Sequence, residues 1–143
     1  MGCYNATVLN AAPEAVWTAL RDFHDLSWSS NVVEEVTPVG EASGTEVGAK
    51  RVLNNAFHET LHVLDDDSLY LKYSIDDGPG PVAKDAVVDY FGEVRVLPVT
   101  VPTDSGQCVV VWKSSWASGG DEVHEFCDPI YRALLGDLKG HFG

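Results

Sequence analysis

Positive charge is scarce in this chain. Nine Lys and Arg residues stand against 22 Asp and Glu in 143 residues, a formal net charge of −13. Phosphate recognition rests on clustered cations, so this balance argues against a nucleic-acid surface and against adsorption to an anionic membrane. Cysteine is scarce too. Cys3, Cys108 and Cys127 are odd in number and lack C-x-x-C or knuckle spacing, which excludes a disulfide framework and a structural zinc site. Reduced thiols in the cytoplasm are the expectation. No apolar run approaches the roughly 20 residues that span a bilayer, and no basic stretch precedes an apolar one near Met1. Met1-Gly2-Cys3 opens like an acylation signal, but Ala6 stands where Ser or Thr is needed. Walker, dinucleotide and Ser-His-Asp signatures are missing, and no cofactor is expected.

What is present is a foldable core. Hydrophobic residues make up 45% of the chain and aromatics 10%, enough for one domain over residues 1–143. Cys3–Leu9 alternates, with Tyr4, Ala6 and Val8 on one face, and reads as a strand. Pro13 suits a first helical position, and Val16, Trp17, Leu20 and Phe23 follow at helical spacing, predicting a helix over about 13–23. A polar connector around Trp28 has room for a second helical turn. Six β-rich stretches follow: 32–39, 47–53, 57–64, 69–75, 87–99 and 107–117, separated by turn-forming clusters. Val123, Phe126, Cys127, Ile130, Leu134, Leu138 and Phe142 then recur at three and four residues, marking a long C-terminal helix. Pro129 either kinks that helix or starts its main part, with Asp128 as cap. The order predicts an α+β fold, a curved seven-stranded antiparallel sheet around the last helix, with a cavity between them.

Several strings, in order, carry a resemblance: A-P-E-A-V-W at Ala12–Trp17 with Phe23, Val47-Gly48, and E-x-L-x-V-L-D-D at Glu59–Asp66. To these add D-Y-x-x-x-x-x-V-x-P-V at Asp89–Val99, V-V-W at Val110–Trp112 and Y-R-x-x-L-x-x-L-K at Tyr131–Lys139. The chain resembles the START-like (SRPBCC) helix-grip superfamily, which includes polyketide cyclase/dehydrase and birch-pollen-allergen-like proteins. The resemblance implies a helix-grip fold, a hydrophobic ligand, and a cavity-lining Glu at Glu59 and Tyr at Tyr90. It departs from the abscisic-acid receptors of that superfamily. Their longer gating loop is replaced by Asn54, Asn55 and Ala56, and Ser30–Val33 supplies no ligand-binding lysine. The bacterial cyclase-like branch is the closer likeness.

His58-Glu59-Thr60-Leu61-His62 is a literal H-E-x-x-H. That motif binds zinc when a helix brings both histidines to one face. Here Phe57, Glu59, Leu61 and Val63 alternate with His58, Thr60 and His62, a strand pattern. Residues four apart in a strand lie roughly 13 Å from each other. No metal is expected, and a zinc hydrolase remains the remote alternative.

The same alternation turns Glu59 toward the apolar side of the sheet. A carboxylate in an apolar pocket must be paired or protonated, and its pKa rises, as an acid/base catalyst needs. A buried structural Glu bonded to Tyr, Trp or water is the competing reading. Alternation likewise turns Val88, Tyr90, Gly92, Val94 and Val96 inward. Leu71 and Tyr73 follow on the neighbouring strand, and Val110, Trp112, Ser114 and Trp116 on the last. Gly92 leaves room for a ligand or permits a bend. On the final helix Phe126, Ile130 and Leu134 close the cavity, with Cys127 and Tyr131 flanking. A Cys127–His124 nucleophilic pair is a weaker alternative.

The expected function is binding of a small hydrophobic, aromatic or polyketide-like ligand in an internal cavity. Glu59 and Tyr90 are the candidate catalytic residues of a cofactor-independent cyclase/dehydratase or lyase. The candidate ligand contacts are Trp28, Phe57, Leu61, Leu71, Tyr73, Val88, Gly92, Trp112, Ser114, Trp116, Phe126, Cys127, Ile130, Tyr131 and Leu134. A non-catalytic carrier or sensor is the alternative, and the protein is expected as a monomer or homodimer. The acidic tracts Asp65–Asp67 and Asp76-Asp77 read as solvated turns.

Overall fold

A computed structural model describes all 143 residues. The chain runs β1 (Tyr4–Leu9), α1 (Pro13–Leu20), a 3-10 turn (Ser27–Ser29), then β2 (Val36–Val39), β3 (Lys50–Leu53), β4 (Phe57–Asp65) and β5 (Tyr70–Asp77). After a second 3-10 turn (Gly80–Val82) come β6 (Phe91–Pro98), β7 (Cys108–Ser115) and α2 (Glu122–Phe142). The seven strands form one antiparallel sheet in the order β1-β7-β6-β5-β4-β3-β2, a meander closed by β1 returning beside β7. The α+β helix-grip expectation holds, with α2 packed on β1, β7 and both 3-10 turns.

Local chemistry sets the element ends. Pro13 starts α1, with Val16, Trp17 and Leu20 buried. Phe23 was expected on the same helical stripe but lies beyond the helix, because its N–H is given to the Gly44 carbonyl at 2.8 Å. Residue 33 likewise stays out of β2, its N–H bonded back to Ser29 at 2.9 Å. α2 runs unbroken through Pro129. Proline there removes one backbone hydrogen bond, at a cost of about 3 kcal/mol that packing of the helix must offset. Val123, Cys127, Tyr131, Leu134, Leu135 and Leu138 are buried along it.

One strand keeps its alternation and one breaks it. In β1 the Tyr4, Ala6 and Val8 face is the outer one, while Cys3, Asn5 and Leu9 are buried. In β4 the register shifts between Leu61 and Val63. The extra residue moves Val63 outward, 37% exposed, and brings Leu64 into contact with the core instead.

Turns carry the acidity usefully. Asp66 accepts hydrogen bonds from Trp17 Nε1 at 2.8 Å and from Arg21 Nε and Nη2 at 3.0 Å, tying α1 to the β4–β5 turn. Asp65 accepts from the N–H groups of Asp67 and Ser68, and Asp77 from those of Gly78 and Lys84. These carboxylates, exposed at Asp65 and Asp66 and half-buried at Asp77, organise the turns as well as meeting solvent.

Candidate functional site

Between α2 and the inner face of β3–β5 lies a cavity of about 190 Å³. Its walls are Leu53, Phe57, Ile75 and Trp112 from the sheet, Cys127, Ile130, Tyr131 and Leu134 from α2, and Leu26, Val32 and Val33 from the segment after α1. Half-buried Val32, Phe57 and Ile130 stand toward its outer end, where the Phe57 ring stacks on Phe126 at 6.2 Å between centroids. The tight β3–β4 turn shapes that end. Asn54 and Asn55 both adopt positive φ (53° and 54°), which asparagine tolerates. Asn54 Oδ1 then accepts the N–H groups of Glu34 and Glu35, and its Nδ2 donates to the Val32 carbonyl. The residues that replace a long loop therefore clamp the cavity's rim.

The polar centre is a pair. Glu59 lies inward on β4, 5% exposed, directly opposite Arg51 of β3, which is 6% exposed. Arg51 donates twice to one carboxylate oxygen, Oε1: from Nε at 2.8 Å and from Nη2 at 2.7 Å. Its Nη1 donates to the Phe23 carbonyl at 2.9 Å, and its guanidinium lies 3.7 Å over the Phe23 ring. Packing and hydrogen bonds thus fix Arg51 in place. Glu59 Oε2 receives no protein hydrogen bond. Burial holds the Glu59 carboxyl above its ordinary range, and the Arg51 guanidinium offsets only part of that rise. Protonating Glu59 would leave a buried guanidinium without counter-charge, so the pair is read as ionic.

Hydroxyl groups complete the centre. Tyr73 Oη accepts from Trp112 Nε1 at 3.0 Å and donates to no protein group. Tyr131 and Tyr90 join through their hydroxyls, and the Tyr90 ring stacks on Trp116, 5.6 Å between centroids. Burial raises the Tyr73, Tyr90 and Tyr131 phenols, so all three stay protonated at neutral pH. The Cys127 thiol is pushed up to about 11, chiefly by burial. That leaves it an unreactive thiol, and no Cys127–His124 nucleophile forms. His124 instead lies with Cys3 and Asp128, their ligand atoms within 4.8 Å of one another. Both Asp128 oxygens there are taken, by Asn5 and Arg132.

The cavity gathers eight of the sequence-predicted residues: Phe57, Glu59, Tyr73, Trp112, Cys127, Ile130, Tyr131 and Leu134. Trp28 and Leu71 line a much smaller adjoining hollow of about 20 Å³. The others fall outside the lining. Leu61 is fully buried core, and Ser114 takes the Cys3 N–H on the β1 side. Trp116 and Tyr90 form a stacked layer behind Tyr131, so Tyr131 presents the hydroxyl there, not Tyr90. Phe126 backs Phe57 from outside. Val88 is 52% exposed, because Asp89 at φ 52° breaks the alternation before β6 begins. Gly92 leaves room for Tyr73: a Cβ on it would come within 2.3 Å of that ring. The H-E-x-x-H string lies in β4, with exposed His58 and His62 on the face opposite Glu59, which is not zinc-site geometry.

A family model described as polyketide cyclase / dehydrase and lipid transport matches residues 2–143. The chain belongs to that family. A solved protein of Nitrosospira multiformis is 36% identical to this family member, with a TM-score of 0.95 over 100% of this chain and 97% of that one. A solution structure from Thermobifida fusca is 23% identical, TM-score 0.83, covering 99% and 93%. XoxI of Bacillus cereus is 22% identical, TM-score 0.78, covering 99% and 94%; these two show the fold alone. Among curated proteins none matches. The family description joins two activities on hydrophobic molecules, consistent with an apolar cavity. No helix is long and apolar enough to cross a membrane.

Proposed function

We propose that the protein binds a small, largely apolar molecule in the α2–sheet cavity and acts on it by proton transfer, as a cofactor-independent dehydratase or cyclase. The observation that carries this reading is the free Oε2 of buried Glu59, held beside an apolar wall with the Tyr73 hydroxyl on the same lining. Paired with Arg51, Glu59 serves as a base, and the enolate it generates carries the charge that then balances Arg51. Oε2 takes the proton from the carbon next to a ligand carbonyl, and the bond's electrons form the enolate. The Tyr73 O–H supports the enolate oxygen. Expulsion of a β-hydroxyl, with the proton returned from Glu59, then releases water and leaves an alkene. At about 190 Å³ the cavity holds a ligand of one-ring size, since an apolar cavity of about 150 Å³ accommodates benzene.

Cyclohexanone in D2O tests this by NMR. The protein should bind it and speed exchange of its α-protons, and Glu59→Gln should bind it without exchange. Binding with no exchange above the Glu59→Gln level would make the protein a carrier, in which Glu59 anchors a polar group. Failure to bind at all would overturn the cavity reading.

A further inference from the structure

Resting on that cavity reading, we infer that the Arg51–Glu59 pair makes the site selective for uncharged ligands carrying both a hydrogen-bond donor and an acceptor, and that it excludes organic anions and cations alike. Two charges of opposite sign sit side by side in the wall, each at least nine-tenths buried. Glu59 Oε1 takes both Arg51 contacts, so the site's net charge is zero and its committed bonds are internal. Beside the Tyr131 hydroxyl, which is bonded to Tyr90, the lining offers an open acceptor in Glu59 Oε2 and open donors in the Tyr73 O–H and the remaining Arg51 N–H groups. An amide or a hydroxy-carbonyl group matches both.

An anion does not match. A ligand carboxylate that displaced Glu59 would strand one buried carboxylate, and one that reached the two remaining Arg51 N–H groups would be a second buried anion beside Glu59, sharing a single cation. Arg51 is also held from the far side by the Phe23 carbonyl and ring, so it cannot follow the ligand outward. A cation meets the mirror problem, because it would compete with Arg51 for Glu59 and leave the guanidinium uncompensated. The penalty for breaking one partner from such a pair corresponds to a loss of about a hundredfold or more in affinity. This goes beyond apolar binding, since an apolar cavity alone would accept the hydrocarbon part of a fatty or aromatic acid without preference.

Three isosteric probes measure the selection: 4-methylbenzamide (neutral), 4-methylbenzoate (anionic) and 4-methylbenzamidine (cationic). Affinities are followed at neutral pH by NMR or calorimetry. The wild-type protein should bind the amide, and each ion about a hundredfold more weakly. Glu59→Gln leaves Arg51 as an unbalanced cation and should reverse the order in favour of the benzoate. Arg51→Met leaves Glu59 unbalanced and should favour the benzamidine. Thermal unfolding of each variant confirms that it is folded, and the wild-type comparison stands without either. A benzoate or benzamidine affinity within about threefold of the amide in the wild-type protein would overturn the charge selection while leaving the cavity reading intact. So would a folded Glu59→Gln protein that keeps the wild-type order. Failure of all three probes and of cyclohexanone to bind would overturn the cavity reading itself.

Discussion

The two faces of β3–β5 carry polar groups at the same level of the sheet, yet they differ in how their valences are filled. On the outer face Ser74 donates to Asp76 Oδ1 at 2.6 Å, Thr60 donates to Asp76 Oδ2, and Lys50 Nζ donates to Thr60 at 2.9 Å. His62 Nε2 lies 2.8 Å from Ser74 Oγ. Ser74 gives its single proton to Asp76, so His62 is the donor in that contact. The row therefore resembles a Ser-His-Asp relay in composition only, because the histidine cannot take the serine's proton. On the inner face Arg51, Glu59 and Tyr73 are more deeply buried than Lys50, His62 and Asp76, yet one carboxylate oxygen, one phenol proton and two guanidinium N–H groups stay uncommitted. Filled valences hold a fold together, while open ones in a cavity are available to a ligand.

The largest effect should come from unbalancing the inner pair. Arg51→Met strands a buried carboxylate, and urea unfolding should show a loss of about 3–5 kcal/mol. Converting both partners, Arg51→Met with Glu59→Leu, should recover most of that loss, because matched apolar groups replace a buried pair at little cost. Failure of the double variant to recover would mean that the pair's contribution is structural and the contrast between the faces is false. Next in size is Gly92→Ala. The added methyl meets the Tyr73 ring from within 2.3 Å, and overpacking of this kind costs about 1–3 kcal/mol. It should also weaken 4-methylbenzamide binding, since Tyr73 must leave its position on the cavity wall. Unchanged stability in that variant would show that the ring is not held against Gly92.

The same contrast explains what could be read from the sequence. The fold was legible because period-two and period-3.6 patterns follow one another in the order of the sheet and α2. Glu59 was legible because Phe57 and Leu61 flank it at strand spacing. Its partner was missed, although the signal was present. The Asn54–Ala56 turn pairs Leu53 with Phe57, which places residue 51 opposite residue 59 on the same face. Extending the hairpin register two residues would have found Arg51. Val88 and Val63 were misplaced for a different reason. A left-handed Asp89 and a bulge after Leu61 each reverse the alternation, and neither leaves a mark that periodicity can detect. Gly92 was read as space for a ligand because a glycine shows that room is needed without showing what fills it.

The outer row offers the smallest and most discriminating change. Ser74→Ala removes a donor to Asp76 and the acceptor for His62. Asp76 and His62 are exposed, so water replaces both contacts. A net hydrogen bond of this kind is worth about 0.5–1.5 kcal/mol, and urea unfolding should show a loss in that range. The affinity for 4-methylbenzamide should stay within about twofold of wild type, because the Ser74 hydroxyl bonds to Asp76 and His62 on the outer face and to none of Arg51, Glu59 or the Tyr73 side chain. A larger change in binding would mean that the two faces are coupled through the β4–β5 ladder. The outer row would then belong to the site, instead of merely supporting the strands that carry it.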